Sequence, residues 1–208
     1  VYAGASTPGP RSSIKNDLDE ETSTNFELGA RYEQEAFAVT GAVFYTVLED
    51  FIVPDNYGTG FEEWPIDPLT GKPIAPDEAT ENDGEISSLG LELQAAYDFG
   101  IANGADYSLP VHVGITLTNA EFDGTASSSD GESIFSGSHD GNEVPYVPDF
   151  LLHAGIGYAK GNLRLALDGS YVSESYASGW NNSDPLDPEG NYNAQYGKID
   201  SYFVADLS

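Results

Sequence analysis

The chain has no cysteine in its 208 residues. A disulfide scaffold and a thiolate metal site are therefore excluded. Bases are scarce, with seven Lys and Arg against 35 Asp and Glu, which gives a formal net charge of -28. Nucleic acid needs cationic patches to bind, and this chain lacks them, so nucleic acid is not a partner. Histidine occurs only at His112, His139 and His153. No Ser, His and Asp arrangement has the spacing of a nucleophilic triad, and nothing else in the sequence argues for an enzyme. No apolar run reaches the roughly 20 residues of a membrane-spanning helix, so a closed β-barrel is the only way this chain can cross a bilayer.

What the sequence does contain is alternation. Asn25 to Tyr32 places Phe26, Leu28, Ala30 and Tyr32 at every second position, and Leu89 to Tyr97 does the same with Leu89, Leu91, Leu93, Ala95 and Tyr97. A strand sends successive side chains to opposite faces, so each segment has one apolar face and one polar or small face. Further strands read over Val1 to Thr7, Phe37 to Phe51, Tyr107 to Phe122, Phe150 to Tyr158, Leu163 to Tyr171 and Ile199 to Leu207. Phe37 to Phe51 alternates less cleanly, so its facing stays open. No stretch has helical periodicity, and no repeat of 20–50 residues marks a solenoid or propeller.

The connections are asymmetric. Glu33-Gln34-Glu35, the turn at Asn103-Gly104 and Lys160-Gly161-Asn162 are short. Val53 to Glu85, Asp123 to Glu143 and the segment carrying Trp180, Asp184 and Asp187 are long and acidic. Eleven acids fall between Glu49 and Glu85 and seven between Glu121 and Asp149, whereas the strand cores carry few. Short turns at one end, long loops at the other and aromatic residues at strand ends are the pattern of a bacterial outer-membrane barrel. The fold class is therefore all-β, an antiparallel transmembrane β-barrel of which this chain supplies about eight strands with long extracellular loops. The abrupt ends at Val1 and Ser208 read as cuts, and both would leave unpaired sheet edges.

Specific segments then point to a family. Glu21 to Tyr32, with Phe26-Glu27-Leu28-Gly29-Ala30-Arg31, resembles a strand of the TonB-dependent outer-membrane receptors. Ala42-Val43-Phe44-Tyr45 through Asp50-Phe51-Ile52 and Gly90-Leu91-Glu92-Leu93 are similar to two more of its strands. Val144-Pro145-Tyr146-Val147-Pro148 and Tyr192 to Asp206 resemble the branch containing ferric dicitrate and siderophore receptors. The resemblance runs along essentially the whole chain, residues 1–208. It departs from the family at Ser6-Thr7-Pro8-Gly9-Pro10, where a Gly-Phe-x-x-Pro is frequent. The resemblance implies a parent barrel of about 22 strands closed by an N-terminal plug. This chain would be roughly its third quarter onward, without the plug and the terminal strands. It further implies a location in the bacterial outer membrane, contact with outer-membrane lipid, the chain's own plug and the TonB complex, and energised import of a ferric chelate.

The candidate ligand-binding residues are the loop cations Arg11, Lys15, Lys72 and Lys198, with Trp180 as an aromatic that either packs on a ligand or anchors loops. An anionic ferric chelate would seek those cations, yet the surrounding carboxylates oppose it. Glu27, Arg31, Glu92 and Gln94 fall on the polar strand face as lumen residues, touching plug or ligand or forming an interior ion-pair lattice. His112 and His153 share that face. Calcium is a candidate ion for Glu121 to Gly124, Ser129 to Glu132 and Asp184 to Gly190, though none forms a complete oxygen-ligand loop. Two other functions fit the pattern: a secreted calcium-binding β-sandwich adhesin or lectin, and a passive porin-like channel.

Overall fold

The computed structural model describes residues 19–54, 80–124, 134–186, 190–192 and 196–208. Seven strands form one antiparallel sheet in the order β1 (Thr22–Gln34), β2 (Phe37–Pro54), β3 (Thr80–Asp98), β4 (Pro110–Asp123), β5 (Phe150–Lys160), β6 (Leu163–Val172) and β9 (Tyr202–Leu207). A separate two-stranded ladder pairs β7 (Ser175–Tyr176) with β8 (Lys198–Ile199). Every main-sheet strand pairs with its sequence neighbour in that sheet, and the sheet is open at β1 and β9.

The expected strands are present apart from Val1 to Thr7, which lies outside the described residues. Several bounds differ. β2 and β3 continue pairing as far as Pro54 and Thr80, into what the sequence reads as a loop starting at Val53. Asp50 allows this with a left-handed backbone (φ 57°) at the shift of register between Leu48 and Phe51. Asn82 Nδ2 donates to the Asp50 carbonyl at 2.7 Å and supports that bulge. The last strand is split, because Lys198–Ile199 turns aside to pair with Ser175–Tyr176 before the chain enters the main sheet at Tyr202. The connection after β3 also holds one helical turn, α1 (Phe99–Ala102), where no helix is expected. Asp98 caps it, accepting from Ile101 N at 3.0 Å and Leu109 N at 3.1 Å. At Lys160-Gly161-Asn162-Leu163 the hairpin is as tight as the sequence reads, with Gly161 at φ 59° in the first central position.

Register fixes the faces. Partners lying opposite one another share a face, so Ala30, Gly41, Leu93, Ile115, Leu152 and Tyr171 form one row. Val43, Leu91, Leu117 and Phe150 form the next. The facing of β2 is thereby settled: Val39, Val43 and Tyr45 are apolar-side, and Phe44 is on the opposite side over Gly90, where a Cβ would overlap its ring. Among the described residues nothing covers the apolar face, with Leu28 81% and Leu165 51% exposed. Two aromatic bands border it. Tyr32, Phe37, Tyr97 and Phe99 lie at the short-turn end with successive ring centroids 6.3, 6.5 and 4.7 Å apart. Phe150 and Tyr171, 6.0 Å apart, lie toward the long-loop end. From Phe150 to Tyr158 one strand runs about 27 Å, or about 21 Å along the normal at a tilt near 40°, close to the apolar height of an outer-membrane barrel.

The buried core is small and lies at the long-loop end. Val53, Ile86, Ala120, Phe122, Phe135 and Val144 are buried, with Leu48, Phe51, Ile134 and Val147 packed around them. Beyond Leu117, β4 loses β5 as a neighbour, and residues 141–144 take its place: Phe122 N donates to Asn142 O and Val144 N to Ala120 O, both at 2.9 Å. This turns Phe135 inward between Phe51 and Phe122, with ring centroids 5.3 and 5.2 Å away. Phe122, Ile86 and Leu48 form one register row on the face opposite the apolar one. The loop thus covers the polar-side face of the sheet at its long-loop end.

Candidate functional site

The second face of the sheet carries the polar and small residues. One row runs Arg31, Thr40, Gln94, Gly114, His153 and Ser170, and the neighbouring row runs Glu33, Ala38, Ala96, His112, Gly155, Asp168 and Asp206. A hollow of about 700 Å³ opens over these rows, lined among others by Arg31, Thr40, Gln94, His112, His153 and Ser170. Glu92 lies one row further on, opposite Ala42 and Thr116, and Glu27 stands opposite Phe44. All four polar residues singled out by alternation therefore share this face. Arg31 pairs with Glu33 rather than with Glu27 or Glu92, its Nη2 donating to Glu33 Oε2 at 2.6 Å.

Three adjacent strands bring His112, His153 and Asp168 together. His112 Nε2 is 3.1 Å from His153 Nε2 and 3.2 Å from Asp168 Oδ1. His153 Nε2 is 4.0 Å from the same Oδ1. The imidazoles stack with centroids 5.0 Å apart and planes 23° from parallel. His153 Nδ1 also meets Ser170 Oγ at 3.0 Å. Sequence reading places both histidines on this face, and sets Asp168 opposite the leucines of its strand, but does not single it out as a site residue. Its signal was the register, which the sequence does not print.

The loop candidates have structural partners. Lys198 Nζ donates to Glu174 Oε1 at 2.6 Å and sits 4.5 Å from the centre of the Tyr176 ring. The hydrogen bond to Glu174 is the main cause that raises the Lys198 pKa above its ordinary 10.5. Trp180 lies across Gly137, whose φ of 70° suits glycine and whose Cβ would overlap the indole. It makes edge contacts with His139 at 6.4 Å and Tyr196 at 6.2 Å, yet remains 44% exposed. Asn181 locks the same two loops, with its Oδ1 accepting from Glu143 N at 2.5 Å and its Nδ2 donating to Glu143 O at 2.9 Å. Burial, and then Asp149, raises the Glu143 carboxyl pKa above 4.5, with Lys198 opposing. Arg11, Lys15 and Lys72 lie outside the described residues.

Of the calcium candidates, residues 129–132 and part of Asp184 to Gly190 also lie outside them. Glu121 and Asp123 end β4, where Glu121 Oε1 accepts from Asn119 Nδ2 at 2.9 Å. Asp184 Oδ1 accepts from Leu186 N at 3.0 Å. Among the described residues, the one group of three or more possible metal donors is His112, His153 and Asp168.

Residues 1–208 match the family model described as "TonB dependent receptor-like, beta-barrel". No curated protein sequence matches the chain. Among solved structures, the chain is similar to the ferric citrate transporter FecA in its unliganded form, at 21% identity and a TM-score of 0.58. That match covers 89% of this chain and 23% of FecA. The FrpB iron transporter of Neisseria meningitidis gives 21% identity, a TM-score of 0.58 and coverage of 94% and 25%. The ferric yersiniabactin uptake receptor FyuA of Yersinia pestis gives 20%, 0.54, and 90% and 22%. At these identities the likeness is one of fold, and the chain spans about a quarter of the length of each.

Proposed function

We infer a function from one premise: the chain belongs to the TonB dependent receptor-like β-barrel family, and its place is the bacterial outer membrane. The whole receptor would capture a ferric chelate, a siderophore or an iron carboxylate, and import it with energy delivered through a plug and the TonB complex. Residues 1–208 would be part of its barrel domain. The observation that carries this reading is the two-faced sheet. One face is a continuous apolar belt bordered by aromatics, and the other is a polar wall beneath docked loops.

In this reading Glu27, Arg31, Glu92 and Gln94 line the lumen. Trp180 and Lys198, with Arg11, Lys15 and Lys72, are the ligand-facing set. Charge narrows the cargo. Among the described loop residues Lys198 is the only Lys or Arg beyond the sheet and its turns, and it is already paired with Glu174. A highly anionic chelate would meet carboxylates first, so a neutral or cationic chelate fits the entrance better. The adhesin alternative loses support because a sandwich needs a second sheet over the apolar face. The described residues supply none.

The test is radiolabelled-iron uptake by iron-starved cells with and without the full-length receptor. The cells are offered ferric citrate, a neutral siderophore and a cationic siderophore. Receptor-dependent accumulation of the neutral or cationic complex that stops when the inner membrane is de-energised supports the reading. Accumulation that persists without energy assigns a passive channel instead, and no receptor-dependent uptake of any of the three rejects ferric-chelate import.

A further inference from the structure

We propose that His112, His153 and Asp168 form a binding site for a divalent transition-metal ion of the zinc or copper class on the polar wall of the sheet. Two imidazole nitrogens and a carboxylate oxygen from three adjacent strands lie within 4.0 Å of one another. Imidazole and carboxylate together suit such ions, with bonds of about 2.0–2.2 Å. Two donors at that distance from a common ion lie about 2.8–3.6 Å apart at right to tetrahedral angles. The His112–His153 and His112–Asp168 separations of 3.1 and 3.2 Å already meet that spacing. Only the 4.0 Å from His153 to Asp168 exceeds that spacing, by roughly 0.4 Å.

Four features of the surroundings suit a cation. Ser170 Oγ lies 3.0 Å from His153 Nδ1, and in the tautomer whose Nδ1–H donates to that hydroxyl the Nε2 is left bare for an ion. A single proton cannot serve all three donor atoms at once, whereas one ion can be shared among them. Asp206 stands directly opposite Asp168 in the ladder, and two like charges facing each other are unfavourable unless a cation lies near. Gly155, on the His153 strand, sits between His112 and Asp168 in their row, and a Cβ there would lie 2.7 Å from His112 Nε2 and overlap Asp168 Oδ1. Glycine at that position leaves the volume that the three donors occupy. The side chains are 41%, 52% and 39% exposed, so water completes the coordination and the ion can enter from the hollow.

The site does not depend on the uptake reading, and its test requires no transport. The full-length receptor, purified in detergent and stripped with chelator, is titrated with Zn²⁺ in competition with a chromophoric chelator. The wild type is expected to bind one more equivalent than His112→Gln or His153→Gln, or to bind that equivalent at least 10-fold more tightly. Gly155→Ala keeps all three donors, and it should weaken the same equivalent. Equal stoichiometry and affinity in the wild type and these variants overturns the proposal. Heat-modifiable migration checks that each variant is folded. For any that is not, the wild type is treated with diethyl pyrocarbonate with and without Zn²⁺ and read by mass spectrometry. Zn²⁺ should slow modification of His112 and His153 together by at least fivefold while His139 reacts at an unchanged rate. Unchanged rates at the pair also overturn it.

Discussion

The ring of Phe135 lies 5.2 Å from that of Phe122, joining a loop residue to the end of a strand. Both are almost wholly buried, at 1% and 2% exposure. Around this contact the segment from Ile134 to Val147 packs onto the sheet instead of extending into solvent.

Removing the Phe135 ring should release that segment and leave the barrel wall intact. Phe135→Ala is expected to cost about 3 kcal/mol of loop docking, the usual scale for a buried phenylalanine. Limited proteolysis of the receptor in detergent should show faster cleavage between 124 and 149, with unchanged heat-modifiable migration. Equal cleavage rates would show that the loop is held elsewhere.

The two faces predict opposite tolerance to charge at adjacent positions. Ile115 points to the apolar face and Thr116 to the polar one. Ile115→Arg should lower barrel stability by about 2–4 kcal/mol, as a cation on the lipid side near the midplane does. Thr116→Arg should change it by less than about 1 kcal/mol, the range of most surface substitutions. Urea unfolding in lipid vesicles measures both, and equal losses would contradict the assignment of faces.

The Lys198–Glu174 pair is a modest, salt-sensitive tie. Lys198→Met should cost about 0.5 kcal/mol at low salt, because both partners are solvent-accessible. The lysine pKa is raised on folding, so the pair's contribution is complete below pH 10.5 and is lost as pH rises through the folded value. Hydrogen exchange at Tyr176 and Ile199, corrected for intrinsic rates, should accelerate in the variant at pH 7 and match the wild type in high salt.

Glu143 shares that direction with pH, but its ionised form is the destabilising one. Its pKa is raised, chiefly by burial, so its charge weakens loop docking once pH exceeds the raised value. That penalty vanishes below the ordinary value of 4.5. Glu143→Gln should therefore protect the Glu143 and Asn181 amides better than wild type at pH 7.5 and equally well at pH 4. Hydrogen exchange with the same correction checks the sign.

Strand alternation was legible because one whole face of this sheet has to be apolar, which leaves a period of two in most segments, though Phe44 on the polar side blurs it in β2. Where local rules compete, the sequence is a poorer guide. The left-handed Asp50 keeps β2 and β3 paired past a bulge, and a reading based on prolines and acids ends the strands early. Lys198 and Ile199 have strand-like neighbours but pair with Ser175 and Tyr176, which only the docked loops bring close. Phe135 sits in a Ser, Gly and Asp-rich stretch that reads as solvated, and nothing local shows that it turns inward. His112, His153 and Asp168 meet through the register of three strands. Their sequence spacing carries no motif.

The interlocking of Asn142 and Asn181 with the opposite loop has an immunological consequence. Docked on one another, 134–149 and 174–186 present one composite surface, which would be a composite epitope for an antibody. Antibodies raised against either peptide alone should recognise the native protein poorly. Substitution of exposed residues such as Tyr146 or Trp180 would alter that surface while the buried Phe135 and the closely packed Gly179 preserve its underlying shape.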